Sequence, residues 1–163
     1  MPATYEPIAS TTLGSAAANV EFTSISGSFT DLRVILSGTG SSSTQVDITV
    51  NGDTGTNYSW TGLSGNGTSA ESYRLSSRAQ IRPDYYNSIG SSDPGVIIVD
   101  FMSYANANVF KTVLMTSALA GAATHRNVGL WRSTSAITSV KFAATVGNFA
   151  SGFRVSLYAI KAA

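Results

Sequence analysis

The chain has 163 residues, of which 43% are hydrophobic and 12% charged, and its ten basic and nine acidic residues leave a net charge of +1. That length predicts about one domain with a buried core, and the hydrophobic share excludes a disordered chain. The scattered charges form no phosphate-binding stripe, so we expect no nucleic-acid partner, and the absence of cysteine excludes disulfides, zinc ribbons and thiol catalysis.

The N-terminal segment, residues 1–18, has neither the basic start nor the apolar core of a signal peptide, so we expect a protein made and folded in a cytoplasm without secretion. We expect this segment to be an edge strand or an arm that pairs with a neighbouring subunit. Residues 19–163 are then a single β-sandwich domain. The longest apolar run, 95–101, is far too short to cross a bilayer, so we expect no membrane partner.

Alternation of apolar and polar residues dominates the rest of the chain and predicts strands with one buried face. The clearest alternating segments are 31–38, 44–51, 137–145 and 152–160. Segment 95–102 is apolar on both faces, which predicts a central strand covered on both sides or one that meets a partner subunit. Further strands are expected over Asn19–Ile25, Glu71–Ile81, Val109–Ala118 and Asn127–Ser133.

Segments rich in Ser, Gly, Asn and Asp separate these strands and predict turns. The nearest approach to a helical period is 116–125, but Gly121 interrupts it and no capping residue frames it. We therefore expect a loop there, with at most one helical turn. The predicted fold class is all-β: an antiparallel, jelly-roll-like β-sandwich of about eight to ten strands.

The segment NGDTGTN, residues 51–57, begins like a calcium-binding loop. An EF-hand loop that starts at Asn51 needs an oxygen ligand at its fifth position, glycine at its sixth and glutamate at its twelfth. Those positions hold Gly55, Thr56 and Gly62 instead. We therefore expect a turn between two strands, with no metal ion and no cofactor.

His125 and Asp100 are two further residues whose surroundings in the sequence bear on chemistry. His125 is the single histidine; a distant Ser-His-Asp triad stays open, but no G-x-S-x-G elbow occurs, so we predict a loop or interface role. Asp100 lies within the apolar run VIIVDFM, where a carboxylate needs a partner. We expect that partner to be an arginine from a neighbouring strand or subunit.

Aromatic residues in presumed loops are candidates for subunit contacts, for carbohydrate stacking, or for plugging the ends of the sandwich. The full set of predicted interface residues is Tyr58, Trp60, Tyr73, Arg82, Tyr85, Tyr86, Asp100, His125 and Arg126. We expect no catalytic residue. The facing pair of carboxylates that glycosidases use cannot be identified from sequence alone.

Several stretches resemble a family of small β-sandwich proteins and domains common in tailed bacteriophages, cyanophages included. They are TYEPIASTTLGSAAANVEFTSISGSFTDLRVILSG, NGDTGTNYSW, YANANVFKTVLM, VGLWRSTSAITSVKFAA and GNFASGFRVSLYAIKAA. Their order and spacing match over nearly the whole chain. The last stretch is the most specific, with a Phe-Ala-Ser-Gly turn, a final strand and a tail of small residues, and segment 71–95 matches least.

The resemblance implies a virion structural protein with no family catalytic residues. We expect a capsid decoration (cement) protein on the outer surface of the particle, because one domain fills the length and no stalk-forming segment is evident. It is expected to form a homo-oligomer, a trimer in the simplest case, and to bind the major capsid protein. The alternative is a tail fibre or tailspike head, or another tail-associated protein that binds a receptor or that binds or degrades glycans.

Overall fold

In a computed structural model that describes residues 5–161, the protein is an all-β sandwich of two sheets. Within those residues the chain has eleven strands and no helix, and therefore no helix that could span a membrane. The strands are β1 (Tyr5–Thr12), β2 (Asn19–Phe22), β3 (Asp31–Gly38), β4 (Val46–Val50), β5 (Tyr58–Gly65), β6 (Ala70–Arg78), β7 (Gly95–Met102), β8 (Lys111–Leu119), β9 (Ala123–Trp131), β10 (Val140–Ala144) and β11 (Arg154–Ile160).

The larger sheet has eight antiparallel strands in the order β1-β11-β3-β7-β8-β9-β5-β6, and the smaller sheet has the order β2-β10-β4. Strands β7, β8 and β9 follow one another in both sequence and space. The chain also stays in the larger sheet from β5 to β6 and from β6 to β7. At its other connections it passes from one sheet to the other, as it does between β3, β4 and β5. These crossings join the two layers around one core.

The core lies between the two sheets, and the alternation within each strand decides which side chains enter it. In the smaller sheet the inward residues of β4 and β10 are at most 1% exposed; they are Val46, Ile48, Val50, Val140 and Phe142. In the larger sheet the inward residues of β3 and β7 are fully buried; they are Leu32, Val34, Leu36, Ile97, Val99 and Phe101. Burial of each such side chain stabilises the fold by about 1.5–3 kcal/mol.

The connection between β6 and β7, residues 79–94, extends the smaller layer; we call it the covering segment. Ile81 pairs with Ile48 of β4 through two backbone hydrogen bonds of 2.9 Å, and Ile89 pairs with Thr44. Ile81 and Ile89 are both fully buried. The covering segment therefore closes the part of the larger sheet that the three-stranded sheet does not reach.

The prediction of an all-β sandwich is confirmed, as are the inward faces of the four clearest alternating segments. Segment 116–125 was predicted as a loop, and this is wrong: it contains the end of β8, a tight turn and the start of β9. Strand β5 was missed because Ser, Thr and Gly fill its sequence. Residues 5–12 pair with β11 as an edge strand of the larger sheet, while residues 1–4 lie outside the described part.

Candidate functional site

The turn at 51–57 connects β4 to β5, and the oxygens of its Asp53 carboxylate accept hydrogen bonds from within the protein. Asn51 has a φ of 51°, and the Asp53 carboxylate accepts hydrogen bonds from Trp131 Nε1 at 2.6 Å, Gly55 N at 2.8 Å and Asn57 Nδ2 at 2.9 Å. The bond from Trp131 is the main cause that lowers the pKa of Asp53. The predicted turn is confirmed. No group of three or more His, Asp or Glu side chains within residues 5–161 could hold a metal ion.

The histidine forms a hydrogen-bonded pair with a serine on the inner face of the larger sheet. His125 Nδ1 lies 3.1 Å from Ser117 Oγ, and the Ser117 hydroxyl donates to Pro83 O at 2.9 Å. Because that hydroxyl has one proton, Nδ1 is the donor to Oγ, and Nε2 is free to accept from Tyr86 N–H at 3.3 Å. Burial lowers the pKa of His125, which favours this neutral ring.

Asp84 of the covering segment is only 1% exposed and has no cationic hydrogen-bond partner. Its Oδ2 accepts a hydrogen bond from the Ser88 hydroxyl, while Oδ1 is buried with no partner among the described residues. Burial raises the pKa of Asp84 to about 8, against the smaller lowering effects of Ser88 and Arg82. The carboxyl group is therefore protonated at neutral pH.

The buried residues Ser117, His125, Asp84 and Ser88 are here called the inner cluster. Through Ser117 and His125 it holds the covering segment on the sheet. Ser117 and His125 are 1% and 2% exposed, so neither presents a reactive atom to solvent. The serine proton points to Pro83 O, whereas a nucleophilic serine would donate it to the imidazole. Ser64, which stands opposite His125 across β5 and β9, is also buried, and its Oγ has no hydrogen-bond partner within residues 5–161. The arrangement fixes a loop; it does not activate a hydroxyl.

Three tyrosines stack along the rim of the inner cluster. The rings of Tyr73 and Tyr85 stack with centroids 4.8 Å apart, and Tyr86 meets Tyr85 edge-on at 5.3 Å. Tyr86 also lies 6.0 Å from His125 and donates its hydroxyl to Glu71 at 2.8 Å. Tyr85 is 49% exposed, so this row offers one ring to solvent.

Asp100 lies on the opposite, outer side of the larger sheet. Arg33 of the neighbouring strand β3 binds it through two hydrogen bonds, Nε to Oδ1 at 2.6 Å and Nη2 to Oδ2 at 2.8 Å. The hydrogen bond to Asp100 is the main cause that raises the pKa of Arg33. The predicted arginine partner is confirmed, and it comes from the same chain.

The side of the eight-stranded sheet that points away from the smaller sheet is here called the outer face. Its middle rows, here called the aliphatic rows, mix aliphatic residues with Thr, Asp and Arg. The aliphatic ones include the exposed Leu63, Val96 and Val128, at 62%, 42% and 43%, and the half-buried Ile35, Ile98 and Leu114. A shallow depression of about 290 Å³ lies among Leu63, Leu114 and Val128. Nothing in the described chain covers this surface.

Arginines border the aliphatic rows. Arg74 stands opposite Thr61 across β6 and β5, Arg126 opposite Leu63 across β9 and β5, and Arg154 opposite Ser37. Arg132 reaches the same side by donating to Ser59 Oγ at 3.1 Å. Within residues 5–161 the ion pairs are Arg33–Asp100 and Arg82–Asp47, so these four arginines have no carboxylate partner there.

The structure divides the nine predicted interface residues into three groups. Tyr58 and Trp60 are 0% and 4% exposed in β5, so their placement in loops was wrong and they have no surface for a partner. The second group gathers around the covering segment; it consists of Tyr73, Arg82, Tyr85, Tyr86 and His125. His125 lies in β9 and is buried there, which corrects the loop expectation. Asp100 and Arg126 belong to the outer face.

Sequence reasoning missed Lys111, which is fully buried. Its Nζ donates to Asn106 O at 2.5 Å, Val109 O at 2.8 Å and Thr134 O at 3.0 Å, and burial lowers its pKa. These carbonyls come from two loops that are distant in sequence, the one between β7 and β8 and the one between β9 and β10. No local sequence pattern therefore marks Lys111 as buried. The outer aliphatic rows were also missed, although the two-sided apolar pattern of 95–102 was a signal for them.

No protein-family model and no curated protein matches this chain. Among solved structures, it is similar to the galectin LEC-6 of Caenorhabditis elegans, with 13% identity, coverage of 94% of this chain and 96% of that chain, and a TM-score of 0.34. It is also similar to a marine PL-14 alginate lyase from Aplysia kurodai, with 9% identity, coverage of 85% and 72%, and a TM-score of 0.35.

A third similar structure is the alginate lyase Aly36B, with 8% identity, coverage of 93% of this chain and 79% of that chain, and a TM-score of 0.35. Identities and TM-scores this low carry no argument about site or activity. The functional argument therefore rests on the residues of this chain.

Proposed function

We propose that this protein is a virion structural protein of a tailed phage that acts by adhesion, as an oligomeric decoration protein on the outer capsid surface, and that it catalyses no reaction. The observation that carries the proposal is the outer face, where aliphatic side chains on five neighbouring strands are exposed or half-buried and no part of the described chain lies over them. Monomeric soluble proteins rarely leave a contiguous apolar patch of this kind uncovered.

Burial of the outer aliphatic rows supplies the attraction in this proposal. Apolar surface gains about 25 cal/mol for each Å² removed from water, although ordering and polar desolvation offset much of that gain. Rigidity also supports an adhesive role, because eight paired strands present the face without any loop that must order on binding. The sealed Ser117–His125 pair is consistent with the absence of catalysis, since no solvent reaches either side chain.

Location on the particle is the direct test. Antibodies raised against the purified chain are applied to intact virions of the phage that encodes it, and the labelled particles are imaged. We expect label distributed over the capsid. Label confined to the tail would support the alternative role below, and the absence of label from intact and disrupted particles would contradict a virion role altogether.

The oligomeric state is tested separately. We expect a homotrimer, the form that suits local threefold axes of an icosahedral shell. Light scattering of the purified protein measures this directly. A monomer both in dilute buffer and at raised salt would contradict the trimer, while leaving the capsid location to the labelling experiment.

The tyrosine row favours one second candidate, a glycan-binding head on the tail. Tyr85 exposes about half of its ring, and Tyr73 and Tyr86 hold that ring in place. Exposed, oriented aromatic rings stack on sugars. Binding to a glycan array that Tyr85→Ala abolishes and Tyr5→Ala preserves would favour this candidate. Tyr5 is a matched control because it is 45% exposed and lies on β1, at the edge of the eight-stranded sheet opposite to the edge that carries Tyr73.

A further inference from the structure

The outer face is both aliphatic and basic, and the two properties occupy the same strands. Five arginines reach this face; they are Arg33, Arg74, Arg126, Arg132 and Arg154. Two acids, Asp31 and Asp100, stand among the described outward positions. Arg33 holds Asp100, and Asp31 accepts a hydrogen bond from Ser103 N–H at 2.6 Å. Half of the ten cationic residues of the chain thus lie on one surface, against two carboxylates among its described outward positions.

The size of the face matches that of one standard protein interface. Strands about 4.8 Å apart, with about eight residues each rising ~3.3 Å, give the eight-stranded sheet an outer area of roughly 900 Å². A stable protein–protein contact buries about 800 Å² on each partner. The exposed Val96 and Leu63 stand three strands apart, on β7 and β5, so the aliphatic residues are spread over the middle of that area.

We propose that the outer face docks on an acidic protein surface that carries aliphatic side chains between its carboxylates. This inference rests on the proposed adhesive function and names the chemistry of the partner. The exposed Leu63 stands directly opposite Arg126 on β9, and Arg74 is its diagonal neighbour on β6, so a matching surface places carboxylates around an apolar contact. Arginine binds carboxylates with two parallel hydrogen bonds, which fixes register as well as attraction.

The same charges argue against other occupants. A second copy of this face would bring its four arginines that lack a carboxylate partner among residues 5–161 against the same four, and like charges across an interface disfavour that pairing. Sugars and nucleic-acid bases stack on aromatic rings. On the half of the face formed by β8, β9, β5 and β6, every outward residue is aliphatic, polar or basic, and the outward rings Tyr5 and Tyr158 lie on β1 and β11 at the other end.

A synthetic fluorescent peptide of glutamate and leucine in equal numbers is the probe, and its binding is measured by anisotropy. We expect the wild-type protein to bind it. Arg126→Glu and Arg74→Glu should each weaken binding about fivefold or more, and Leu63→Ser should weaken it comparably. Lys161→Glu is the matched control, since it changes the charge equally at an exposed position after β11, and should stay within about twofold of wild type.

Two further arms test the class of partner. Binding should fall between ~0.15 M and ~1 M salt, because the Debye length shrinks from about 8 Å to about 3 Å. An all-glutamate peptide, a single-stranded oligonucleotide and an oligogalacturonate should all bind more weakly than the mixed peptide. Tighter binding of the oligonucleotide or the uronate, equal binding by Arg126→Glu and Lys161→Glu, or no binding by the wild type would each overturn the inference.

Failure of this inference is distinguishable from failure of the proposed function. If wild-type protein labels the capsid while Arg126→Glu and Lys161→Glu sediment equally well with stripped particles, the docking face is wrong and the capsid role stands. If wild-type protein is absent from virions, the capsid role falls. The peptide result then still decides whether the outer face binds an acidic protein surface.

Discussion

On the inner face of the eight-stranded sheet the polar side chains are buried and most of them are hydrogen-bonded, whereas on the outer face aliphatic and arginine side chains are exposed or half-buried. Ser117 and His125 are buried under the covering segment, with each polar atom of the pair in a hydrogen bond. Arg126, next to His125 on β9, and Leu63, on the neighbouring strand β5, face solvent. Adjacent residues of one strand lie in these two different environments because side chains alternate in direction along a strand.

The difference teaches that residue types associated with catalysis need not mark the working surface. Here Ser117 and His125 hold a loop in place. Under the proposed function the interaction chemistry lies instead on the outer face, where the sequence has leucine, valine and arginine. Substitutions can therefore be paired across the sheet: inner changes should alter stability, and outer changes should alter binding.

The largest contrast should come from neighbouring residues on β3. Leu36→Ala removes a fully buried side chain and leaves a cavity, so it should lower the free energy of unfolding by about 2–5 kcal/mol. Ile35→Ala, on the outer face, should cost about 1 kcal/mol or less, since Ile35 is only half-buried. Urea denaturation measures both. Equal losses would mean that the outer face is covered in the folded protein.

The buried lysine gives the next largest effect. Lys111→Met keeps the aliphatic stem but leaves the carbonyls of Asn106, Val109 and Thr134 without their donor, and should cost about 2–3 kcal/mol in thermal or urea unfolding. Lys141→Met is the matched control. It lies half-buried on the solvent side of β10, where we expect a change within about 0.5 kcal/mol.

Asp84 should impose a pH dependence on the inner cluster. Its pKa is raised to about 8 in the folded protein, so between pH ~4 and ~8 the folded state binds one more proton than the unfolded chain. Stability from this residue is complete below pH ~4 and declines as the pH rises toward 8. Asp84→Asn should remove that decline and be the more stable protein at pH 8.

Urea denaturation of wild type and Asp84→Asn at pH 5 and pH 8 provides the check. The titration of His125 acts in the opposite direction, because its pKa is lowered and its protonation at acid pH destabilises the fold. It is common to both proteins, so the difference between them isolates Asp84. Parallel pH profiles would mean that Asp84 is ionised when buried.

The ion pair on the outer face should have a smaller effect. Arg33→Ala removes both hydrogen bonds to Asp100, whose side chain is 18% exposed, and should cost about 1 kcal/mol. The double variant Arg33→Ala with Asp100→Ala should recover part of that loss, since no unpaired carboxylate remains. A double-mutant cycle in urea gives the coupling energy, and a coupling of zero would show that the pair is solvent-screened.

The alternating segments were predictable from sequence because each strand buries one face against a single continuous core. Strand β5 was not, since its glycines suggest turns. Gly62 is instead a packing residue: a Cβ there would lie 2.0 Å from Asn127 Oδ1. Gly129 is similar, with a Cβ 2.8 Å from Ile81 Cγ2. Gly62 leaves room for the side chains of Asn127 and Tyr73 on the neighbouring strands, and Gly129 leaves room for the covering segment. The position of that segment is not encoded locally.

The candidate site was only partly predictable for a related reason. Asp100 lies in an apolar run, so a paired arginine could be expected from burial alone. The Ser117–His125 contact depends on the hairpin that joins β8 to β9, which was predicted as a loop. Because strand β5 was not predicted, Tyr58 and Trp60 were placed in loops, and their burial was missed. The outer face is a property of eight aligned strands, and the strand order is not visible in the sequence.

Adhesion through the outer face is tested most directly with two exposed aliphatic residues of equal exposure. Leu63 on the outer face is 62% exposed, and Val146 after β10 is 60% exposed. Neither Leu63→Ser nor Val146→Ser should change stability by more than about 0.5 kcal/mol. In co-sedimentation with particles stripped of the protein, we predict that Leu63→Ser loses most of its binding while Val146→Ser binds as wild type does. Undiminished binding by Leu63→Ser would contradict the account.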